Sequence, residues 1–349
     1  MKKKYIFLIF TLVFLGCQDD DEQTLDLDAT SYSDTQLELS LNGIQLEGRT
    51  VKINPEKGTK AELYLMSLLP GEKETKIFVV GEKNEMGVSI YGSDENKDRT
   101  LSVVGEIKDE KLSLQADVKI HSEIVGKWKL PSGNQVPTDR LNNSAVYVDL
   151  VNKEMKSIQL PVFLYNGNVD TNNKPIYDYP QTAFIEDPGD GNGRWFAECV
   201  MNGALSNFYS SLLPGIEFRA NGHVQFTIVP WKGEEPIILP DGFIRYGIYD
   251  GKIWFMVENA EKNANVGIAF LLKQKDGKAK IAIDKSLLNT FIELSPYLKA
   301  LLNYQNKVDM FQHGKATEES VQIFVDKDMV DLLRSAEYFE LGSNLLPVQ

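Results

Sequence analysis

Side chains able to do chemistry are few in this chain, and they are scattered. The three histidines, His121, His223 and His313, lie far apart, and none belongs to a His-Glu-x-x-His run, which would set two metal ligands on one helical face. Cys199 stands among Ala197, Val200 and Met201 with no base nearby in sequence, and no Gly-x-Ser-x-Gly elbow occurs. A zinc site needs three or four converging ligands. Neither layout is visible, so the chain reads as non-catalytic with no cofactor. Two loops carry denser polarity. In Asp187-Pro188-Gly189-Asp190-Gly191-Asn192-Gly193, Asp187, Asp190 and Asn192 are oxygen donors on a turn, the raw material of a calcium loop. Their order does not match Asp-x-Asn-x-Asp-Gly, and no bidentate Glu follows; the plainer reading is a sharp loop capping a helix at Trp195. The second loop runs from Tyr165 to Tyr179. Tyr165, Asn168, Asp170, Tyr177 and Tyr179 pair aromatic faces with amide and carboxylate groups, the combination that grips a sugar ring, and Trp231 could add a stacking face. A solvated turn would have the same composition.

The elements that must hold these residues are mostly strands. Leu37-Glu38-Leu39-Ser40-Leu41 alternates apolar and polar residues, the period of a half-buried strand, and Asn42-Gly43 is a turn pair that tolerates positive φ. The pattern recurs at 51–53, 61–65, 76–80, 88–91, 101–104, 112–120 and 124–128, which predicts an antiparallel sandwich or barrel over residues 35–130. Residues 131–143, PSGNQVPTDRLNN, read as a linker. Beyond it, 144–349 predicts an α+β domain. Its strands include 145–150, 157–163, 223–229, 243–246, 252–257, 267–273, 278–283 and 321–325. Met201, Leu205, Phe208 and Leu212 share a helical face. Further helical spacing follows Leu287, Ser295-Pro296 and Asp326. Ser-Leu-Leu-Pro-Gly occurs at both 67–71 and 211–215, either as a trace of duplication or as one turn chemistry used twice.

Charge and the first residues bear on location. Three lysines precede the apolar run Tyr5–Gly16, which at about half the length needed to span a bilayer is a signal segment over 1–16. Phe14-Leu15-Gly16-Cys17 resembles the lipobox of bacterial lipoproteins, with Phe14 where Leu is usual; the resemblance implies acylation of Cys17. Gln18-Asp19-Asp20-Asp21-Glu22 resembles the acidic export signal of Bacteroidetes surface lipoproteins, within an acidic tether over 17–34. Net charge is −13, and loss of the leader's three lysines leaves 34 basic against 50 acidic side chains, or −16. Nucleic acid and anionic lipid surfaces both require basic patches, so neither is expected as a partner.

Gly126-Lys127-Trp128 is similar to a lipocalin strand, and the rhythm of 35–130 looks like the calycin-like β domains of Bacteroidetes lipoproteins. The resemblance implies a mainly β, outer-membrane, surface-facing lipoprotein held in the bilayer through acylated Cys17. Its expected activity is non-catalytic binding of a glycan, peptide or small apolar ligand. A structural subunit of a membrane complex and a hydrolase with a carboxylate pair are the alternatives.

Overall fold

The computed structural model describes residues 29–85, 87–131, 144–151, 157–169, 175–186, 210–230, 235–257, 267–290 and 330–348, with isolated helical positions at 292, 294–296, 299–300 and 326–327. The protein is mainly β, with a curled half-barrel sheet, a closed eight-strand antiparallel barrel and few short helices.

The half-barrel is built from β1 (Thr30–Ser33), β2 (Leu37–Leu41), β3 (Ile44–Leu46), β4 (Thr50–Pro55), β5 (Lys60–Met66), β6 (Glu74–Asn84), β7 (Gly87–Glu95), β8 (Arg99–Lys108) and β9 (Lys111–Ile120). Their order is β1-β4-β5-β6-β7-β8-β9-β2-β3, antiparallel except where β2 runs parallel to β9. Alternation sets the inner face. In β9, Leu112, Leu114, Ala116, Val118 and Ile120 are buried and every residue between them is exposed, so a register slip of one would turn the core outward. Asn42-Gly43, with both φ positive, forms the expected two-residue hairpin, and Asp109-Glu110 does the same between β8 and β9.

Gly126-Lys127-Trp128 does not end this sheet. After Ile120 the chain turns at residues 121–125, and β10 (Gly126–Lys129) pairs with β14 (Ile216–Phe218). The sheet then continues through β15 (His223–Ile228), β17 (Ile244–Tyr249), β18 (Lys252–Val257), β19 (Ile268–Lys275), β20 (Lys278–Asp284) and β21 (Tyr338–Pro347). β21 returns to β10 through Trp128↔Pro347 and Lys129↔Leu346, which completes a ring of eight. β11 (Val146–Val151) lies further along the same edge of β21, and β16 (Ile237–Ile238) flanks β15. The change of sheet therefore falls before residue 126, earlier than the 131–143 segment. Closure belongs to the second sheet, and the first is curled but open.

β12 (Ser157–Val169) and β13 (Pro175–Glu186) form a separate hairpin. Of the helices expected after residue 144, residues 210–212 are helical and stop at Leu213-Pro214-Gly215; residues 288–290 and 294–296 are helical, and α1 spans Val330–Ser335. The strand expected at 321–325 lies outside the described residues.

The first Ser-Leu-Leu-Pro-Gly joins the two sheets. Its Leu68 carbonyl accepts from Arg245 Nη1 at 3.0 Å. A Cβ on Gly247 would stand 2.8 Å from Pro70 O, and one on Gly71 would stand 2.7 Å from the Trp254 ring; only glycine permits that approach. Ser67 and Gly71 both have positive φ, whereas Ser211 is helical and Gly215 lacks positive φ. The two copies adopt different conformations, which favours one turn chemistry used twice. A second tie runs through Asn42, whose Nδ2 donates to Asn221 O at 2.6 Å and whose Oδ1 accepts from Val118 N at 3.0 Å.

Candidate binding site

Strand register fixes which side chains point into the barrel. Phe218 on β14 meets Tyr246 on β17 edge-to-face at 5.2 Å and Phe255 on β18 at 6.2 Å, and Phe255 meets Phe270 on β19 at 5.5 Å. Strands three apart can touch this way only across the interior. The alternate residues, Arg245, Gly247, Trp254 and Met256, face outward, where they meet Leu68, Pro70, Gly71 and Arg49.

Among the described residues, the inward side chains are fully buried at one end and less buried toward the other. Phe218, Val224, Tyr246, Ile253, Ala279 and Leu345 are buried, and tight turns at Asn221-Gly222, Asp250-Gly251 and Asp276-Gly277 close that end. The half-barrel abuts it: Ile120 N donates to Ala220 O at 2.7 Å. Trp128 is buried too, its indole N–H donating to Ile124 O at 2.6 Å. Toward the opposite end, Ile216, Phe226, Ile244, Phe255 and Phe270 are only partly buried and Val257 is 53% exposed; the trend is not uniform, since Leu272 nearer the closed end is partly buried and Ile283 toward the opposite end is buried. Ile238, 65% exposed, and Phe243, 39% exposed, stand near the rim. The long connections 229–243, 258–267 and 285–337 all leave from this end, as strand direction requires. An interior with this lining can desolvate an apolar ligand, at roughly 25 cal/mol per Å² of apolar surface buried.

Two polar clusters lie on the outer side of the barrel. Glu340 is buried and accepts from Tyr147 Oη at 2.5 Å, from Tyr338 Oη at 2.8 Å and from Lys273 Nζ. Burial pushes its pKa up, but the Lys273, Tyr147 and Tyr338 hydrogen bonds outweigh this and hold the carboxyl below its usual range. It is a structural acceptor with three side-chain donors.

His223, also buried, has Nδ1 3.3 Å from Asp241 Oδ1 and 3.2 Å from Asn221 Nδ2, while its Nε2 has no hydrogen-bond partner. Burial pushes the imidazole below its ordinary value despite Asp241, and Arg245 and Arg219 act in the same direction as burial. The unfolded chain therefore binds a proton as pH falls through about 6.5 while folded His223 resists. Its stabilising contribution is present above that pH and is lost as pH falls toward the depressed folded value. We expect His223→Gln to flatten the dependence of unfolding free energy on pH between about 7 and 5. A slope unchanged from the parent would refute this assignment.

Of the binding-loop residues singled out in the sequence, those that are described lie on the separate hairpin. Tyr165 and Asn168 lie on β12 and Tyr177 and Tyr179 on β13, with Tyr165 in register with Tyr177; much of the segment read as a loop is hairpin strand. Asp170, Trp231, the loop residues Asp187, Asp190 and Asn192, Cys199, His313, Cys17 and the acidic run Gln18–Glu22 lie outside the described residues. His121 is exposed, its Nε2 2.8 Å from Thr100 Oγ1. Among the described residues no three His, Cys, Asp or Glu side chains are placed to hold a metal. The interior lining is not marked in the sequence, because each of its residues reads as ordinary core; the sequence signal is Gly126-Lys127-Trp128, in the barrel's first strand. Comparison of the chain with protein-family models, curated proteins and solved structures gives no match.

Proposed function

We propose that this chain is a surface-displayed, lipid-anchored binding protein whose eight-strand barrel receives a small apolar ligand through its partly open end. The observation that carries the reading is the burial gradient along the inward face of β18, from fully buried Ile253 through partly buried Phe255 to half-exposed Val257. A chain selected only for packing gains nothing from leaving Phe226, Phe255 and Phe270 partly wet, since each loses transfer free energy. The resemblance of 14–17 to a lipobox supports the anchor, and the acidic Gln18–Glu22 supports outward display. Acyl chains contribute about 0.8 kcal/mol per buried methylene, and stable attachment requires more than one chain.

The test is a titration with N-phenyl-1-naphthylamine, a neutral apolar fluorophore, against the parent and Ile244→Trp. Saturable enhancement is expected from the parent. In the variant, whose larger side chain occupies the open end, affinity should fall by about tenfold or more, the equivalent of about 1.4 kcal/mol. Equal binding by both proteins, or no saturable binding, would rule out the barrel as the site. In the same preparation Cys17→Ser should move the protein out of the membrane fraction, and retention there would exclude the anchor.

A further inference from the structure

The outer face of the half-barrel carries an uncovered aromatic patch on its central strands. Val80, Tyr91, Val104 and Gln115 stand side by side across β6, β7, β8 and β9, and Phe78 lies two residues from Val80 on the same face of β6. Phe78 is 59%, Tyr91 44% and Val104 63% exposed. With strands about 4.8 Å apart, the row from Val80 to Val104 extends about 10 Å. Large apolar residues on three adjacent strands forfeit burial that Ser or Thr would not need, and single surface apolar residues would not line up this way.

The surroundings of the patch are rich in acceptors. Glu82 accepts from Tyr91 Oη at 2.9 Å; Glu62 accepts from Tyr64 Oη and pairs with Lys76. Lys76 Nζ lies 4.9 Å from the Phe78 ring centroid, and its charge is already answered by Glu62. Ser102 and Asp117 form the next pair on the same face as Val104 and Gln115, and Gln115 Nε2 donates to Asp117 Oδ2 at 2.9 Å. The margin also holds two cations, Lys76 and the exposed Lys60 in register with Val80, against Glu62, Glu82 and Asp117, so a ligand that fits presents a flat apolar face to the rings and hydroxyl donors to these oxygens, and net negative charge is disfavoured. The position excludes other modes. A peptide added as a strand needs a sheet edge, and a docked helix needs a groove; this patch lies on interior strands of a convex face. Anionic lipid is disfavoured by the acidic margin.

We propose that this face binds a neutral polysaccharide, with Phe78 and Tyr91 stacking on the C–H faces of its sugar rings and Glu82, Ser102 and Gln115 accepting or exchanging hydrogen bonds with its hydroxyls. The site is separate from the barrel interior.

The test is electrophoresis of the full chain, in detergent, through native gels cast with barley β-glucan, xyloglucan, galactomannan or, as the polyanion, polygalacturonate. At least one neutral polymer should retard the protein while polygalacturonate does not. Phe78→Ala combined with Tyr91→Ala should weaken that retardation by about tenfold or more, the loss expected of a pair of aromatic anchors, and should leave the unfolding midpoint close to the parent's because both side chains are exposed. Retention by none of the neutral polymers, equal retention of parent and double variant, or equal retardation by polygalacturonate would each overturn the proposal. So would a parent dimer in sedimentation that the double variant abolishes, which would make the patch a contact between copies.

Discussion

Arg99→Ala is expected to destabilise the protein by about 3–5 kcal/mol, the cost of stranding a buried charge. Arg99 and Glu72 are both buried, joined by two parallel contacts, Nε to Oε1 at 2.8 Å and Nη2 to Oε2 at 2.9 Å. Nη1 reaches Asp94 at 2.8 Å, and Thr75 Oγ1 donates to Glu72 Oε2 at 2.5 Å. Truncation removes three of these contacts and leaves Glu72 charged in a region where water is scarce. The loss should be felt between the sheets, because Glu72 and Arg99 line a cavity of about 10 Å³ together with Pro70, Arg245 and Gly247. That space holds about one water in the parent, and any water that fills the volume vacated by Arg99 reduces the loss toward the lower end of the range. Urea unfolding measures the effect. A double variant, Arg99→Met with Glu72→Leu, should recover most of the loss, since removing both charges also removes both desolvation penalties. A loss below about 1 kcal/mol for Arg99→Ala would mean that the pair behaves as an exposed one.

Ending the chain after Glu337 is expected to abolish the barrel outright. β21 pairs with β20 from Ala279↔Leu345 to Asp284↔Glu340, with β11 from Val146↔Ser343 to Val151↔Tyr338, and with β10 at its far end. It also supplies buried Phe339 and Leu345 and the Asn344 side chain that donates to Ser144 O at 2.7 Å. Removing a strand bonded on both edges exceeds the total stability of a domain, about 5–15 kcal/mol. Near-UV circular dichroism should lose the contribution of Trp128, which the ring closure buries, while far-UV signal from the half-barrel persists. A truncated chain with the parent's near-UV spectrum and cooperative unfolding would contradict the assignment of β21 as the closing strand.

These two cases separate what could be read in the sequence from what could not. Asn42-Gly43, Asp250-Gly251 and Asp276-Gly277 turn with positive φ as their residue types require, and β5 and β9 follow their apolar alternation, because both signals are local. β21 carries no such local signal, for a physical reason. Its outward residues Glu340 and Asn344 are buried along with inward Leu345, so neither apolar alternation nor a continuous apolar run marks it. β10 was legible as a strand but not as a member of the barrel, since its partners are residues 216–218 and 346–347. The binding site shares that limitation: Phe226, Ile244, Phe255 and Phe270 differ from core residues only in being near one end of a ring, and the ring exists only through non-local pairing. The aromatic patch likewise emerges when Phe78, Tyr91 and Val104, each on a different strand, are brought into one register.

The contrast between a closed ring and an open sheet also bears on self-association. A sheet that does not close ends in strands with unpaired backbone donors and acceptors, a template for pairing with another copy. In the half-barrel those ends are β1 and β3, at four and three residues the two shortest of its nine strands. The long, regular strands β6 to β9 are all interior to the sheet. A copy approaching either edge meets a short strand with few backbone groups for a ladder, so high local concentration does not by itself convert the half-barrel into a polymer.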